Sequence, residues 1–359
     1  NSHNKFAAAS AAPIILNILM IGVLVFGKIL DDKLVFYLSY AVTIAGLIQA
    51  IFLVIFVKKF FQPRIKLNFA FSKEVKFFFK KLLPSIFSSG VTQINILIGT
   101  IIASFQASAV SYLYYADRIY QINLAIAGIA IGTVILPKLS SYIQKNKIKD
   151  IDRIQNKSLE LSLFLSLPAM VGLIIANEEI VSSLFGYGSF DKESVRNSAE
   201  ALFYFSLGLP AFSLIKIFSN FTFARDNTKI PFYFSLVAVL INIVISIVFF
   251  KDFGFIIIPI ATSISSWINS LLLYIYLHIK QYFKINKILI FRLIRVSLSS
   301  IIMGFCLFNL ISFFDSQLTF ENNYKLIYLL FLIILSILIY FVVSLLTRAF
   351  KLSDIKIKY

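Results

Sequence analysis

The sequence predicts an all-α polytopic membrane protein, and three observations support this fold class. Hydrophobic residues make up 59% of the 359 residues and charged residues only 14%, which is more apolar side chain than a soluble core of this length holds. The mean hydropathy is +0.88, and the apolar residues fall into stretches long enough to cross a bilayer. The basic residues lie mostly in alternate connections between these stretches, which is typical of a membrane topology.

About ten transmembrane helices are predicted from the lengths of the apolar stretches, because about 20 apolar residues span the hydrocarbon core. The predicted spans are residues 6–27, 34–57, 84–106, 109–137, 158–177, 197–223, 230–250, 254–278, 290–313 and 324–347.

The distribution of Lys and Arg predicts the orientation of the chain. If the N-terminus is cytoplasmic, twenty-six of the 34 basic residues lie in inside segments and six in outside segments, with Arg118 and Lys216 within spans. This excess predicts that both termini of the chain are cytoplasmic. The net charge of +17 therefore reflects topology, and we expect no nucleic-acid partner. The single cysteine, Cys306, excludes an internal disulfide and a cysteine-based metal site.

Residues 58–83 form the longest basic connection and are predicted to be a cytoplasmic linker. The second half of this segment mixes Phe and Lys, as does a surface helix that lies on anionic headgroups. The span that follows, 84–106, contains the two amides Gln93 and Asn95. These side chains either line a cavity or hydrogen-bond across helices at roughly 1 kcal/mol each, and both interpretations stay open.

Residues 109–137 are predicted to form one membrane-length helix that contains Asp117 and Arg118. At 1.5 Å per residue, Arg118 lies roughly 12 Å in from the first turn. An arginine at such depth costs on the order of 3 kcal/mol, so it should face a wet cavity or a partner. The guanidinium fork suits phosphate oxygens, which favours a membrane-buried anion site. The alternative is that Arg118 pairs with a carboxylate such as Asp117 and only joins helices.

The spacing in this helix places a polar group next to Arg118. Tyr114, Arg118 and Gln121 lie on one stripe of the helix, which continues through the small residues Ala125, Gly128 and Gly132. Small residues let a neighbouring helix or a bulky ligand approach closely. The candidate substrate-binding residues are therefore Tyr114, Arg118 and Gln121, together with Gln93 and Asn95.

Three further features lie in the spans and connections after residue 157. Pro168 and Pro210 lie inside consecutive spans and predict kinks. Residues 177–198 are predicted to be the largest outside connection, with solvated acidic side chains. The last two spans, 290–313 and 324–347, are predicted to have almost no buried polarity, which suits contact with lipid.

The sequence around Arg118 also resembles a known family. The run Tyr-Leu-Tyr-Tyr-Ala-Asp-Arg-Ile-Tyr-Gln, followed by Gly-Ile-Ala-Ile-Gly-Thr-Val-Ile-Leu-Pro-Lys-Leu-Ser, closely resembles the MurJ (MviN) family of lipid II flippases. This family belongs to the superfamily of multidrug, oligosaccharidyl-lipid and polysaccharide exporters.

The resemblance implies a fourteen-helix transporter with two lobes, of which this chain corresponds to helices 5 to 14. Residues 1–57 would be the last two helices of the N-terminal lobe, 58–83 the linker, 84–279 the six-helix C-terminal lobe and 280–359 the terminal helix pair. The first four helices are expected to be missing, and the fragment alone is not expected to transport.

The function implied by the resemblance is flipping of lipid II, a polyprenyl-pyrophosphate-linked glycan, across the bacterial cytoplasmic membrane for cell-wall synthesis. Arg118 would help neutralise the pyrophosphate while the lobes alternate between inward-open and outward-open states. The expected partners are this lipid and the bilayer. We expect a monomer that is not an enzyme and needs no cofactor and no metal.

Two other functions compete with this interpretation. An ion-coupled exporter of drugs or of another lipid-linked oligosaccharide would need membrane carboxylates, whereas Asp117 is the only acidic residue that the predicted spans place well inside the membrane. A membrane-embedded glycosyl or acyl transferase would need a base near a large loop. His3 and His278 both lie at span ends, so the sequence offers no evident base.

Overall fold

A computed structural model describes residues 7–27, 33–58, 75, 93–125 and 131–350. These described residues form α-helices joined by short connections and contain no β-strand, so the predicted all-α class is confirmed. The helices are α1 (Ala7–Gly27), α2 (Leu34–Val57), α3 (Gln93–Ala103), α4 (Ala109–Leu124), α5 (Ile131–Gln144), α6 (Ile148–Ile175), α7 (Asn177–Phe185), α8 (Lys192–Leu207), α9 (Leu209–Phe223), α10 (Lys229–Phe253), α11 (Ile257–Ile279), α12 (Lys287–Phe313), the single turn α13 (Asp315–Leu318) and α14 (Lys325–Leu346).

Several of these helices are long and apolar enough to cross a membrane. Within the described ranges, five helical segments meet this criterion, or six if α8 and α9 form one bent span. One of the five, Lys229–Ile279, contains both α10 and α11. Large apolar side chains also point outward, for example Phe313 and Leu346 at 78% and 77% exposure, as expected of surfaces that contact lipid. The number ten and the correspondence to helices 5 to 14 stay predictions.

The chain divides into two compact units, Asn1–Phe78 and Phe79–Tyr359. In the first unit α1 packs against α2, where the buried side chains include Ala12, Ala41 and Ala45. Small residues at such a contact let two helix backbones approach closely. The second unit contains α3 to α14. Most of the predicted linker 58–83 lies outside the described residues, and the division into lobe, linker and terminal pair stays a prediction.

The helices extend beyond the apolar stretches that predicted them. Helix α6 begins at Ile148, ten residues before the predicted start, and α5 continues to Gln144. The predicted outside connection 177–198 is also largely helical, because α7 and the start of α8 lie within it. Hydropathy detects only the apolar part of a helix, whereas its polar turns carry the same backbone hydrogen bonds, so the membrane boundaries of these spans stay predictions.

The span predicted as one helix over 109–137 is described as two helices. Helix α4 ends at Leu124 and α5 begins at Ile131, with residues 126–130 outside the description. Pro137, the predicted end of the span, lies inside α5. Gly128, one of the small residues predicted to continue the stripe, lies outside the described residues.

A bend separates α8 from α9, as predicted from Pro210. The two helices meet at Gly208 with an angle of 41°. The carbonyl oxygens of Tyr204 and Leu207 accept hydrogen bonds from Ser263 Oγ and Trp267 Nε1 at 2.5 and 3.0 Å. Both donors lie on α11, so this helix supplies the donors at the bend.

The terminal helices α12 and α14 contain more buried polarity than predicted. In the described structure α12 packs along α6, and α14 packs against α12. Their buried polar residues are Ser299, Ser300, Lys325, Ser336 and Ser344. The prediction of almost no buried polarity was therefore wrong. Small hydroxyl side chains allow close helix contact while they bond to their own helix, as Ser300 Oγ does to the Val296 carbonyl at 2.9 Å.

Candidate functional site

Helix α4 has one packed face and one open face within the second unit. Its packed face carries Ala109, Leu113, Ala116, Ile119 and Tyr120, which are buried at helical spacing, mainly against α8. The opposite face carries the three candidate site residues of this helix, and all three are exposed: Tyr114, Arg118 and Gln121. The amphipathic pattern of α4 therefore directs the candidate site away from the core of the second unit.

The Arg118 side chain lies over a tyrosine ring rather than against a carboxylate. Its guanidinium carbon is 4.6 Å from the centroid of the Tyr114 ring, one helical turn earlier. The neighbouring Asp117 carboxylate accepts a hydrogen bond from Gln121 Nε2. No ion pair of Arg118 is found among the described residues, so the alternative of an Arg118–Asp117 pair is not observed there. The structure thus presents an arginine fork without an ion pair among the described residues, next to a carboxylate that is hydrogen-bonded to Gln121 and interacts with Arg118 electrostatically.

The two candidate amides on α3 differ in their surroundings. Gln93 is exposed, whereas Asn95 is half-buried. The Oδ1 atom of Asn95 is buried and has no hydrogen-bond partner in the described part of the protein. No described hydrogen bond connects either amide to Tyr114, Arg118 or Gln121. The structure therefore places these two residues on a separate helix and does not join them to the α4 group.

A charged cluster that the sequence did not indicate lies between α6 and α12. Glu160 is buried, and its Oε1 atom lies 2.7 Å from Arg292 Nη1 and 2.9 Å from Lys157 Nζ. Glu160 lies near the start of the predicted span 158–177, so the statement that Asp117 is the only acidic residue well inside a span stays a prediction. Since Glu160 and Arg292 are 132 residues apart, no local pattern could have paired them.

A second buried cation lies at the first residue of α14. Lys325 is 0% exposed, and its Nζ atom donates to the carbonyl oxygens of Gly186 and Phe320, each at 2.8 Å. The same atom lies 4.4 Å from the centroid of the Tyr187 ring. This lysine ties the start of α14 to the connection between α7 and α8. In the count of basic residues, Lys325 was assigned only to an outside segment.

Acidic side chains near α7 and α8 have altered proton affinities. Burial raises the pKa of Glu179, and the nearby carboxylates of Glu178 and Asp315 add to the effect. By contrast, hydrogen bonds from Ser194 at the start of α8 lower the pKa of Asp191. Asp191 Oδ1 accepts from the Ser194 backbone N–H at 2.8 Å, so this residue caps α8. The prediction that the acidic residues of this region are simply solvated is therefore incomplete.

The described residues contain no group of three or more His, Cys, Asp or Glu side chains positioned to hold a metal ion. The expectation that the protein needs no metal or cofactor stays a prediction.

Comparison with known proteins relates the chain to one family of membrane proteins. A family model described as "Lipid II flippase MurJ" matches residues 1–329. A "Probable lipid II flippase MurJ" of Rhizobium meliloti (strain 1021) is 36% identical over 317 residues, covering 86% of this chain and 58% of that protein. The corresponding protein of Rickettsia prowazekii (strain Madrid E) is 37% identical over 277 residues, covering 77% of this chain and 54% of that protein.

Solved structures agree with this relationship. The structure "Lipid II flippase MurJ, inward closed conformation" matches with a TM-score of 0.78 and 27% identity, covering 97% of this chain and 69% of that one. An outward-facing multidrug resistance transporter of the MATE family matches at 19% identity with a TM-score of 0.50, which shows a similar fold only. The chain spans less than two thirds of the length of the Rhizobium meliloti and Rickettsia prowazekii proteins. With the family model covering most of its residues, the chain belongs to the lipid II flippase MurJ family.

Proposed function

We propose that the protein flips lipid II across the bacterial cytoplasmic membrane by alternating access and so supplies precursor for cell-wall synthesis. The observation that carries this proposal is the exposed Arg118 on the open face of α4, in a chain that belongs to the MurJ family. The proposal includes a multi-pass monomer with both termini of this chain in the cytoplasm, in line with the excess of basic residues in inside segments.

The geometry around Arg118 suits a pyrophosphate ligand. A guanidinium carries five N–H donors in a planar fork and binds phosphate oxygens through paired, charge-assisted hydrogen bonds. The Tyr114 ring, 4.6 Å away, supports the guanidinium through a cation–π contact without occupying its edge donors. Gln121 holds the Asp117 carboxylate, which would otherwise compete with the phosphate for Arg118. Each of the three residues therefore has a distinct role at the proposed site.

The amides Gln93 and Asn95 are proposed to contact uncharged groups of the same substrate. The buried Asn95 Oδ1 atom supports this proposal, because it is an acceptor without a partner in the described residues. A buried acceptor that lacks a hydrogen bond costs roughly 1–3 kcal/mol, which a bound donor would recover.

Alternating access requires elements that rotate about defined points. The 41° bend between α8 and α9 at Gly208 is such a point, because broken helices provide hinges in transporters of this kind. We propose that α9 changes its angle to α8 when the transporter changes between its inward-open and outward-open states.

The alternative of an ion-coupled exporter has less support from the described residues. Such an exporter needs a carboxylate that can take up and release a cation. Glu160 is already engaged by Arg292 and Lys157, and Asp117 by Gln121. Neither carboxylate is thus available without breaking an existing contact.

The test is translocation of fluorescent lipid II in proteoliposomes that contain the product of the complete gene. The substitution Arg118→Ala is expected to lower the rate by about a hundredfold, the cost of removing one strong charge-assisted contact. Lys216→Ala is the matched control, because Lys216 is the other cation within a predicted span and is exposed on α9. A rate for Arg118→Ala equal to that of the control would refute the role of Arg118.

A further inference from the structure

A pocket of about 570 Å³ lies at the start of α4, between this helix and the connection from α7 to α8. The pocket is shallow and open along much of its surface, and its volume is large enough for a sugar ring. The charge distribution predicts that this end of α4 faces the outside of the cell. The lining residues are Ser108, Ser111, Tyr112, Tyr115, Leu184, Phe185, Tyr187, Ser189, Phe190 and Ser194.

The lining is rich in hydroxyl groups and lacks charge. Seven of the ten lining residues are Ser or Tyr, and none is Asp, Glu, Lys or Arg. A hydroxyl both donates and accepts hydrogen bonds, so a cluster of hydroxyls matches a ligand that is itself polyhydroxylated. A charged ligand would enter without a counter-charge from the lining, which disfavours phosphates, carboxylates and amines. The chemistry of the lining therefore points to an uncharged sugar.

One wall of the pocket is aromatic and fixed in place. The Tyr115 ring packs 4.6 Å from the Phe185 ring and 4.9 Å from the Phe190 ring, measured between centroids. Such a wall offers an apolar surface to the C–H face of a pyranose ring while the hydroxyls bind its edge. The Tyr187 hydroxyl donates to the Ser183 carbonyl at 3.0 Å, and Lys325 lies against the Tyr187 ring. The connection between α7 and α8 is therefore ordered without a ligand, which lowers the entropic cost of binding.

The pocket is aligned with the proposed phosphate site. Ser111 and Arg118 are seven residues apart on α4, so they lie two turns apart on one side of the helix, roughly 10 Å along its axis. Both residues are exposed. A lipid-linked glycan whose pyrophosphate binds Arg118 could therefore place its first sugars toward Ser111.

We propose that this pocket is a saccharide subsite, which binds an uncharged sugar of the lipid-linked glycan while its pyrophosphate is bound at Arg118. The inference rests on the proposed function for the identity of the glycan. The binding of a free sugar to the pocket does not require transport, so the two proposals fail separately.

The probe is di-N-acetylchitobiose, a soluble uncharged disaccharide, added to the complete gene product in lipid nanodiscs and detected by saturation-transfer NMR. The substitution Ser111→Trp fills the pocket from an exposed position and is expected to weaken binding about tenfold or more. Val110→Trp places the same side chain one residue earlier, outside the lining, and should bind the probe like the wild type. Arg118→Ala should also retain the probe, because the sugar site is separate from the phosphate site.

The outcomes distinguish the two proposals. Binding that is lost in Ser111→Trp but kept in Val110→Trp and Arg118→Ala supports the subsite. No binding to the wild type, or equal binding to both tryptophan variants, overturns the subsite and leaves the role of Arg118 intact. If the wild type binds the disaccharide at this pocket but does not translocate lipid II, the proposed function fails and the sugar site remains.

Discussion

The Tyr340 hydroxyl donates a 2.7 Å hydrogen bond to the carbonyl oxygen of Phe164, on a different helix and 176 residues away in sequence. Phe164 lies four residues before Pro168, so its carbonyl is the one that the missing proline N–H leaves without an intrahelical donor. Helix α14 thus satisfies a polar group that would otherwise be unpaired in an apolar environment. This contact fixes the terminal helices to α6 at the position of the proline.

The substitution Tyr340→Phe is expected to lower the free energy of unfolding by about 1–3 kcal/mol, because it leaves the Phe164 carbonyl without a donor. In a Pro168→Ala background the new alanine N–H bonds to that carbonyl, so the same substitution should cost much less. The measurement is a double-mutant cycle by denaturant titration in detergent micelles. Tyr328→Phe, on the same helix, is the control, and equal costs in both backgrounds would contradict this account.

The buried cluster of Glu160, Arg292 and Lys157 gives a second prediction. The Glu160 and Arg292 side chains are only 10% and 19% exposed, so Glu160→Ala removes a buried carboxylate that binds Arg292 and Lys157 between α6 and α12. The expected cost is about 1.5–3 kcal/mol of unfolding free energy, as for the loss of a hydrogen bond between charged groups, whereas replacing both Glu160 and Arg292 by methionine should cost far less. Thermal unfolding in micelles would show the difference.

The matched control for this cluster is the ion pair between Lys192 and Glu321. These side chains are 69% and 67% exposed, so solvent screens their attraction and Glu321→Ala should leave stability unchanged within error. A Glu160→Ala protein as stable as the Glu321→Ala protein would contradict the predicted cost of losing Glu160.

Glu179 predicts a dependence of stability on pH. Burial raises its pKa in the folded protein above the ordinary value of 4.5, so the folded state binds this proton more tightly than the unfolded state does. Its contribution to stability is therefore complete below pH 4.5 and decreases as the pH rises through the raised value. Glu179→Gln should raise the unfolding temperature at neutral pH and have little effect in acid. Glu193→Gln, at an exposed position on α8, is the control, and a pH-independent effect of Glu179→Gln would contradict the linkage.

The apolar part of the fold was predictable from sequence, and its polar contacts were not. The span 34–57 coincides with the observed helix Leu34–Val57, because an uninterrupted apolar stretch between charged residues defines both ends. The short helix α7 was missed because its acidic first turn resembles a loop.

For the candidate site, the spacing of Tyr114, Arg118 and Gln121 predicted a shared face, which a helix guarantees at these intervals. The bond from Gln121 to Asp117 and the partners of Glu160 depend on side-chain rotamers and on helices distant in sequence. No local pattern carries that information.

The bond between Gln121 and Asp117 leads to a last prediction about transport. In Gln121→Ala the Asp117 carboxylate loses its donor, while it remains next to Arg118, with which it interacts electrostatically. The carboxylate then competes with the substrate phosphate, and we expect lipid II translocation by the complete gene product to decrease by about tenfold. Adding Asp117→Asn removes the competing charge, so the double variant should recover most of the rate. If Gln121 instead contacts the substrate itself, Asp117→Asn will give no recovery, which separates a positioning role of Gln121 from direct binding.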